Sequence, residues 1–345
     1  MKMNSGNPEW QIWNGRSQEV LPGGESDSPV WNRWMNSVPP WRSLRETGRA
    51  SHVGDFAGMD EGSERRGKVF RGAGGELLEK VNMALWLRRP ILVEGEPGIG
   101  KSSLAYSIAW CLGLGEVLRW EIGSRTQLQD GLYDYDAVGH LRSSQTSSEE
   151  TKIEEHVYLG PLGSALVGHE HQGTLIPRVL LVDEIDKSDY DLPNDLLHIL
   201  EEARFEIREL KRVTKAGEKV EIQGHLDQEI ISMTGSVVSA NVHPIVVMTS
   251  NSERQFPEAF RRRCIQISLS RPEGEELVQL VNEHFGVEDP REAETPLLTW
   301  NAEMIAGSGL KDRPDRLLQN LFMQMQGMHE EHLKRLLESD DQGTG

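Results

Sequence analysis

Apolar residues recur at two different spacings along this chain. In residues 75–88, Leu77, Leu78, Val81, Ala84 and Leu85 return every three or four positions, the period of one helix face. Pro90 stops that helix, because it lacks a backbone donor and crowds the preceding turn. Three runs are apolar without a break: Ile91-Leu92-Val93, Val179-Leu180-Leu181-Val182 and Ile245-Val246-Val247-Met248. Such short continuous runs suit strands buried on both faces, and the segments between them read as helices. This predicts a parallel sheet flanked by helices, an α/β fold. One of those helices covers residues 102–112 and is closed by Gly113; another covers 192–203. Val117-Leu118-Arg119-Trp120 reads as a further strand, and residues 204–242 alternate strand-like pieces with polar turns, which predicts a hairpin insertion. After residue 272 the period becomes helical again. Leu277, Leu280, Val281 and Phe285 share one face, and Leu317, Leu318, Leu321, Phe322 and Met325 another. A small helical lid is expected at 272–337, then an acidic tail at 338–345.

Two stretches lack this regularity. Residues 142–156 are rich in Ser, Thr and Glu and read as a mobile surface loop. Residues 1–64 are rich in Gly, Ser, Asn and Pro and read as a largely irregular arm, although Trp10, Trp13, Trp31, Trp34 and Trp41 all fall there. Disordered segments are poor in aromatics. The arm is therefore expected to be pinned by its tryptophans, either to its own domain, the simpler reading, or to a neighbouring subunit.

The charge balance narrows the possible partners. With 37 basic and 55 acidic side chains the formal net charge is −18, so the chain repels phosphate backbones at long range and non-specific nucleic-acid binding is disfavoured. Cys111 and Cys264 sit in apolar-periodic surroundings and read as buried free thiols rather than a disulfide framework. No apolar run has signal-peptide or membrane-span character, so a cytoplasmic protein is expected.

The candidate chemistry begins directly after the first apolar strand. Gly95-Glu96-Pro97-Gly98-Ile99-Gly100-Lys101-Ser102 matches G-x-x-x-x-G-K-[ST] at every fixed position. Glycines let successive N–H groups turn inward onto phosphate oxygens, and the following helix offers its positive end to the same charge. Lys101 would reach the β- and γ-phosphates, Ser102 would give its hydroxyl to Mg²⁺, and Ser103 completes the nucleotide-binding stretch. The expected cofactors are ATP and Mg²⁺. A Gly-rich turn that binds nothing is the bland alternative; the strand before and helix after the loop argue against it.

Residues 179–182 run into Asp183-Glu184. Asp183 would hold a Mg²⁺-bound water and Glu184 would polarise the attacking water. Nearby Asp186, Asp189, Asp191 and Asp195 read as solvated. Residues 245–248 lead to Thr249-Ser250-Asn251, where the Asn251 amide would lie beside the acidic pair and orient the water. Arg261-Arg262-Arg263 precedes Cys264; either a solvated basic edge or a guanidinium delivered to a neighbour's γ-phosphate fits this run. Arg313-Pro314-Asp315-Arg316 opens a helix with Pro early in it, and Arg316 would touch nucleotide from the lid.

Taken together these residues resemble the AAA+ superfamily and, within it, the MoxR-like ATPases. The loop matches Walker A, residues 179–184 match Walker B, and Asn251 matches sensor 1. Residues 257–264 look like the arginine-finger stretch, with Arg263 the leading candidate and Arg262 the second. Residues 316–320 look like sensor 2, with Arg316 as the sensor and Arg313 as its fallback. Residues 124–133, 183–188 and 192–197, and the hairpin before Ile245, are also similar to the family, so the likeness covers about 65–330. Ile99 stands where Thr is common, at a position that contributes backbone. The resemblance implies a P-loop NTPase core at 65–271 with a C-terminal lid, a homo-oligomeric ring, usually of six subunits, with ATP between neighbours, and mechanical remodelling of a client protein. Many relatives work with a von Willebrand factor A (VWA) domain partner. A regulatory ATPase switch and, less favoured by the charge, a nucleic-acid motor are the competing functions.

Overall fold

A computed structural model describes residues 10–15, 29–42, 44, 51–53, 58–70, 75–146, 152–171, 174–215, 217–226 and 229–270. The predicted lid at 272–337, the tail at 338–345, and Arg313 and Arg316 lie outside the described residues. The chain divides into two compact units, Met1–Gly95 with Lys101–Ser268, and Glu96–Gly100 with Leu269–Gly345.

The first unit begins with the arm. It carries α1 (Pro29–Asn36), a 3₁₀ turn at Pro40–Arg42 and β1 (Ser51–Val53), so it holds more regular structure than its composition suggests. Trp13, Trp31 and Trp34 are buried in the same chain. Trp13 Nε1 donates to Ser107 Oγ at 3.2 Å, and Trp34 Nε1 donates to the Leu85 carbonyl at 2.8 Å. Arg88 stacks its guanidinium 4.0 Å from the Trp34 ring and donates to the Trp34 carbonyl at 2.6 Å. These contacts give the reading in which the arm is pinned to its own domain its physical basis: the Trp13 and Trp34 indoles bury their apolar bodies and satisfy their N–H groups, while Trp31 packs edge-on against the Trp34 ring at 5.1 Å.

α2 (Glu61–Val69) is N-capped by Asp60, whose Oδ1 accepts from the Ser63 N–H at 2.7 Å. It crosses the helix of residues 103–111 at Gly67, where a Cβ would come within 2.7 Å of the Tyr106 carbonyl, so only glycine permits that approach. Then follow α3 (Gly75–Leu87), β2 (Ile91–Glu94), α4 (Ser103–Cys111), β3 (Leu118–Glu121), α5 (Leu128–Leu132), β4 (Tyr133–Tyr135) and α6 (Ala137–Thr146). α6 occupies part of the stretch expected to be a mobile loop. Asp136 Oδ1 accepts from the Gly139 N–H at 2.7 Å and starts it, while Ser144 Oγ donates back to the His140 carbonyl. The Ser/Thr composition that suggested a loop is compatible with a capped, solvent-facing helix. A 3₁₀ turn at Ile153–His156 ends the same stretch.

The chain continues through β5 (Val157–Leu159), α7 (Pro161–Val167), β6 (His169–His171), β7 (Thr174–Ile176), β8 (Val179–Asp183), α8 (Leu192–Glu202), β9 (Arg204–Glu206), α9 (Arg208–Lys211), β10 (Lys219–Gln223), β11 (Ile230–Thr234), β12 (Val237–Ser239), β13 (Ile245–Ser250), α10 (Glu258–Arg263) and β14 (Ile265–Ser268). The central sheet has the order β14-β2-β13-β8-β3 with every pairing parallel. β8 and β13 are buried along their whole length and β2 nearly so, whereas the edge strands β3 and β14 mix buried with more exposed positions. This is the apolar pattern of an α/β sheet flanked by helices. α4 packs on β8 and β13, and α7 on β3 and β8.

The predicted insertion is present. β10 and β11 form an antiparallel hairpin with Ile222 opposite Ile231, and β9 pairs with β12. β1 from the arm adds to the β11 edge, while β5 and β4 extend the other side. The hairpin end is tied to the start of β8 by a buried ion pair between Arg178 and Glu229. Among the described residues no helix is long and apolar enough to cross a membrane. Cys111 and Cys264 are both buried, as expected, and neither forms a disulfide; burial pushes the Cys264 thiol up to about 12.

Candidate nucleotide site

Parallel strands place their C-terminal ends on one side of the sheet, and in this fold class ligands gather there. The strand ends at β2, β8 and β13 are adjacent, which brings the loop residues Gly95, Lys101 and Ser102 to the acidic pair and to Asn251. Gly95 donates its N–H to the Ser250 carbonyl at 3.3 Å. In the segment Glu96–Gly100, Gly98 and Gly100 have φ of 80° and 85°, a region open to glycine at little cost. Ser103 is the first residue of α4.

Lys101 is buried, and its ammonium donates to the Gly95 carbonyl and to Asn251 Oδ1, both at 2.8 Å. Burial lowers its pKa, opposed by the charges of Asp186, Asp183 and Glu184. Asn251, expected beside the acidic pair, thus contacts Lys101 through its side chain, while its backbone N–H donates to Asp186 Oδ2 at 2.9 Å.

Asp183 closes the opposite side. Its Oδ1 accepts from Ser102 Oγ at 2.9 Å and from Thr249 Oγ1 at 2.6 Å; its Oδ2 accepts from Arg119 Nη2 at 2.9 Å. Burial alone would raise the carboxyl pKa, but the bonds from Thr249, Ser102 and Arg119 outweigh it and hold the pKa below the ordinary value. An ionised carboxylate beside a hydroxyl is a hard-oxygen pair of the kind Mg²⁺ takes, with waters and phosphate oxygens supplying the rest of its shell. Both groups therefore fit the metal.

Glu184 follows in the left-handed region, at φ 60° and ψ 47°. Its N–H donates to Thr249 Oγ1 at 2.9 Å, and its carboxylate pairs with Lys187 at 2.6 Å on a half-exposed surface. Such a pair contributes little and releases easily.

Sequence reasoning missed four residues here. Asp186 was expected to be solvated, but it is buried and accepts from the N–H groups of Asn251 and Glu253, at 2.9 and 3.2 Å. Three other aspartates surround it in the sequence, and nothing local distinguishes it from them. Asp189, Asp191 and Asp195 are exposed as expected; Asp189 Oδ1 accepts from the Asp191 and Leu192 N–H groups at the start of α8. Thr249, Arg119 and Arg254 were also unassigned. Thr249 had a usable signal, a hydroxyl directly after an uninterrupted apolar run and still buried in the strand.

The arginine run lies on α10. Arg262 pairs with Glu258 one turn back and is largely exposed, whereas Arg263 pairs with Glu201 of α8 at 3.2 Å and its carbonyl accepts from Arg89 at 3.1 Å.

A phosphate-type loop after one parallel strand, an acidic pair after another and a polar amide after the strand between them define a nucleotide-binding α/β domain of the P-loop class. A family model for the AAA domain of the dynein-related subfamily matches residues 90–264, just over half of the 345 residues. The chain belongs to that family, whose members are in general nucleotide-hydrolysing ATPases that use ATP and Mg²⁺ and form oligomeric rings. No curated protein matches the chain. Among solved structures it is similar to a crystal structure at 2.00 Å of a candidate ATPase from Cytophaga hutchinsonii, at 15% identity and a TM-score of 0.36, over 58% of this chain and 47% of that one. It is also similar to the Hsp104–ADP complex of S. cerevisiae, at 19% identity and a TM-score of 0.41, over 71% of this chain and 43% of that one. The chain thus spans less than half the length of either.

Proposed function

We propose that this chain hydrolyses ATP as a subunit of a MoxR-like ring that remodels a client protein. The observation that carries the ATPase reading is the hydrogen-bonded convergence of Lys101, Ser102, Asp183, Thr249 and Asn251 at three adjacent strand ends. Residues 95–103 would cradle the phosphates, with Lys101 neutralising the β/γ charge. Ser102 and Asp183 would hold Mg²⁺, which supplies charge compensation on the phosphates when bound. Glu184 would take a proton from the water that attacks the γ-phosphorus as the bond to the β–γ bridging oxygen breaks. Asn251 would orient that water from its place beside Lys101.

In the same proposal residues 65–271 form the nucleotide domain and 272–337 the lid, with Arg316, or failing it Arg313, touching nucleotide. A finger from α10 would reach the neighbouring subunit's γ-phosphate. Arg263 is the first choice by its place before Cys264, while the exposure of Arg262 keeps it in contention. The remodelling and the VWA-domain partner rest on the resemblance to MoxR-like proteins.

Phosphate release from the purified full chain with ATP and Mg²⁺ tests the core reading. Turnover abolished by a chelator supports it, and no turnover at any protein concentration refutes it. Capture of a partner by the Glu184→Gln chain held with ATP separates a remodeller from a regulatory switch. Stimulation by DNA would instead favour a nucleic-acid motor.

A further inference from the structure

Two loops leave the neighbouring strands β8 and β13, and each sends one charged side chain across to the backbone of the other. From the β8 loop, Asp186 Oδ2 accepts the N–H groups of Asn251 and Glu253. Ser252 between them has φ 62°, which turns both N–H groups to one side and makes a cradle for an anion. From the β13 loop, Arg254 returns the contact. Its Nη1 donates to the Ser188 carbonyl at 2.7 Å, and its Nη2 to Ser188 Oγ at 3.2 Å and to the Asp189 carbonyl at 3.1 Å. The guanidinium also lies 4.9 Å from the Tyr190 ring and 5.7 Å from the Phe256 ring. A planar fork can grip two carbonyls while stacked on rings, and an ammonium cannot.

The loops held this way carry Glu184 and Asn251. Glu184 sits in a backbone region that non-glycine residues keep only when their surroundings impose it. One side is imposed by the Thr249 hydroxyl, which accepts the Glu184 N–H. The other side is the short turn in which the Lys187 N–H donates to the Glu184 carbonyl at 2.9 Å and the Ser188 N–H to the Ile185 carbonyl at 3.2 Å. Arg254 grips the end of that turn. Asp186 holds the Asn251 backbone, whose side chain meets Lys101.

We propose that Asp186 and Arg254 form a reciprocal clasp that positions the Glu184 carboxylate relative to Asn251 and Lys101 for the hydrolytic step. The inference rests on the ATPase reading. Among the described residues Arg254 bonds only to the β8 loop, so the clasp acts through the placement of Glu184; Asp186 also faces Lys101 electrostatically, so the affinity comparison is made on Arg254→Lys. A misplacement of order 1 Å at a reacting group costs about a hundredfold in rate.

The test uses the full chain with Arg254→Lys, Arg254→Ala, Asp186→Asn and the double variant Asp186→Asn/Arg254→Ala. Turnover is measured with ATP and Mg²⁺, and affinity with a fluorescent non-hydrolysable ATP analogue. Arg254→Lys should lower kcat roughly tenfold to a hundredfold while analogue affinity stays within about twofold. The double variant should be no slower than the worse single variant, because either change opens the same clasp. In a Glu184→Gln background, Arg254→Ala should lower the residual rate by a much smaller factor than it lowers wild-type kcat. Wild-type kcat in Arg254→Lys, or losses that multiply in the double variant, overturns the clasp. A wild type without turnover refutes the ATPase reading instead, and hydrogen exchange then still decides the clasp. Arg254→Lys should speed exchange in residues 184–190 and 250–255 together, and unchanged exchange in both overturns it. If Arg254→Ala does not fold, Arg254→Lys carries the measurement.

Discussion

Replacing Asn82 by alanine should release the arm, and the structure sets the size of the effect. Asn82 is fully buried on α3. Its Oδ1 accepts the N–H groups of Ile12 and Trp13 at 2.7 and 3.0 Å, and its Nδ2 donates to the carbonyls of Trp13 and Leu78 at 2.8 and 2.9 Å. One amide thus satisfies both backbone groups of Trp13. In Asn82→Ala the two N–H groups and the Trp13 carbonyl lose their partners in a site closed to water. Each orphaned group costs about 1–3 kcal/mol. The arm can limit the loss by detaching, at the expense of burying Trp13, so a destabilisation of about 3–5 kcal/mol is expected. Urea unfolding followed by circular dichroism measures it, and a red shift of tryptophan emission before the main transition would mark early release of the arm. A loss below about 1 kcal/mol with unchanged emission would refute the reasoning, because it would mean that those backbone groups find other partners.

Further outcomes are equally specific. Lys101→Ala should lose affinity for a fluorescent ATP analogue, and unchanged affinity would exclude the loop as the phosphate site. Glu184→Gln should bind ATP and turn it over slowly; wild-type turnover would remove Glu184 as the activating carboxylate. Arg263→Ala mixed with Lys101→Ala should recover part of the activity that each lacks, since an intact pocket then meets an intact finger; no recovery despite co-assembly would point to a cis role or to Arg262. Glu229→Gln should destabilise by about 3–5 kcal/mol, because it leaves the Arg178 charge buried without its partner, as urea titration would show. His243 is buried, and burial together with the cations of Arg42 and Arg88 lowers its pKa to about 4, against a hydrogen bond with the Arg42 carbonyl that favours the proton. Below its ordinary value of 6.5 the unfolded chain binds a proton that the folded chain refuses. Stability should therefore fall as the pH drops from 6.5 to about 4, by roughly 3 kcal/mol, and His243→Gln should flatten that slope.

The sequence by itself determined the elements whose signals are local. Continuous apolar runs mark β2, β8 and β13 because strands covered on both faces need apolar side chains at every position. The glycine spacing around Lys101 marks the loop because backbone φ is a property of single residues. The acidic pair and Asn251 stand out by their place at strand ends. Local signals also misled: the Ser/Thr content of residues 142–146 concealed the end of α6, and the polar composition of the arm concealed α1.

Only the tertiary structure decided which polar residues meet. Asp186 and Arg254 grip loops some 65 residues away along the chain, Arg119 reaches Asp183 across 64 residues, and Asn82 reads the backbone of Trp13 across 69. Those meetings follow from the order in which strands assemble into the sheet and from where the arm docks. Each side chain alone has the composition of an ordinary solvated residue. A distant partner turns it into a structural one, most firmly for the buried Asp186 and Asn82, because a buried charge or amide persists only where the fold supplies its hydrogen bonds.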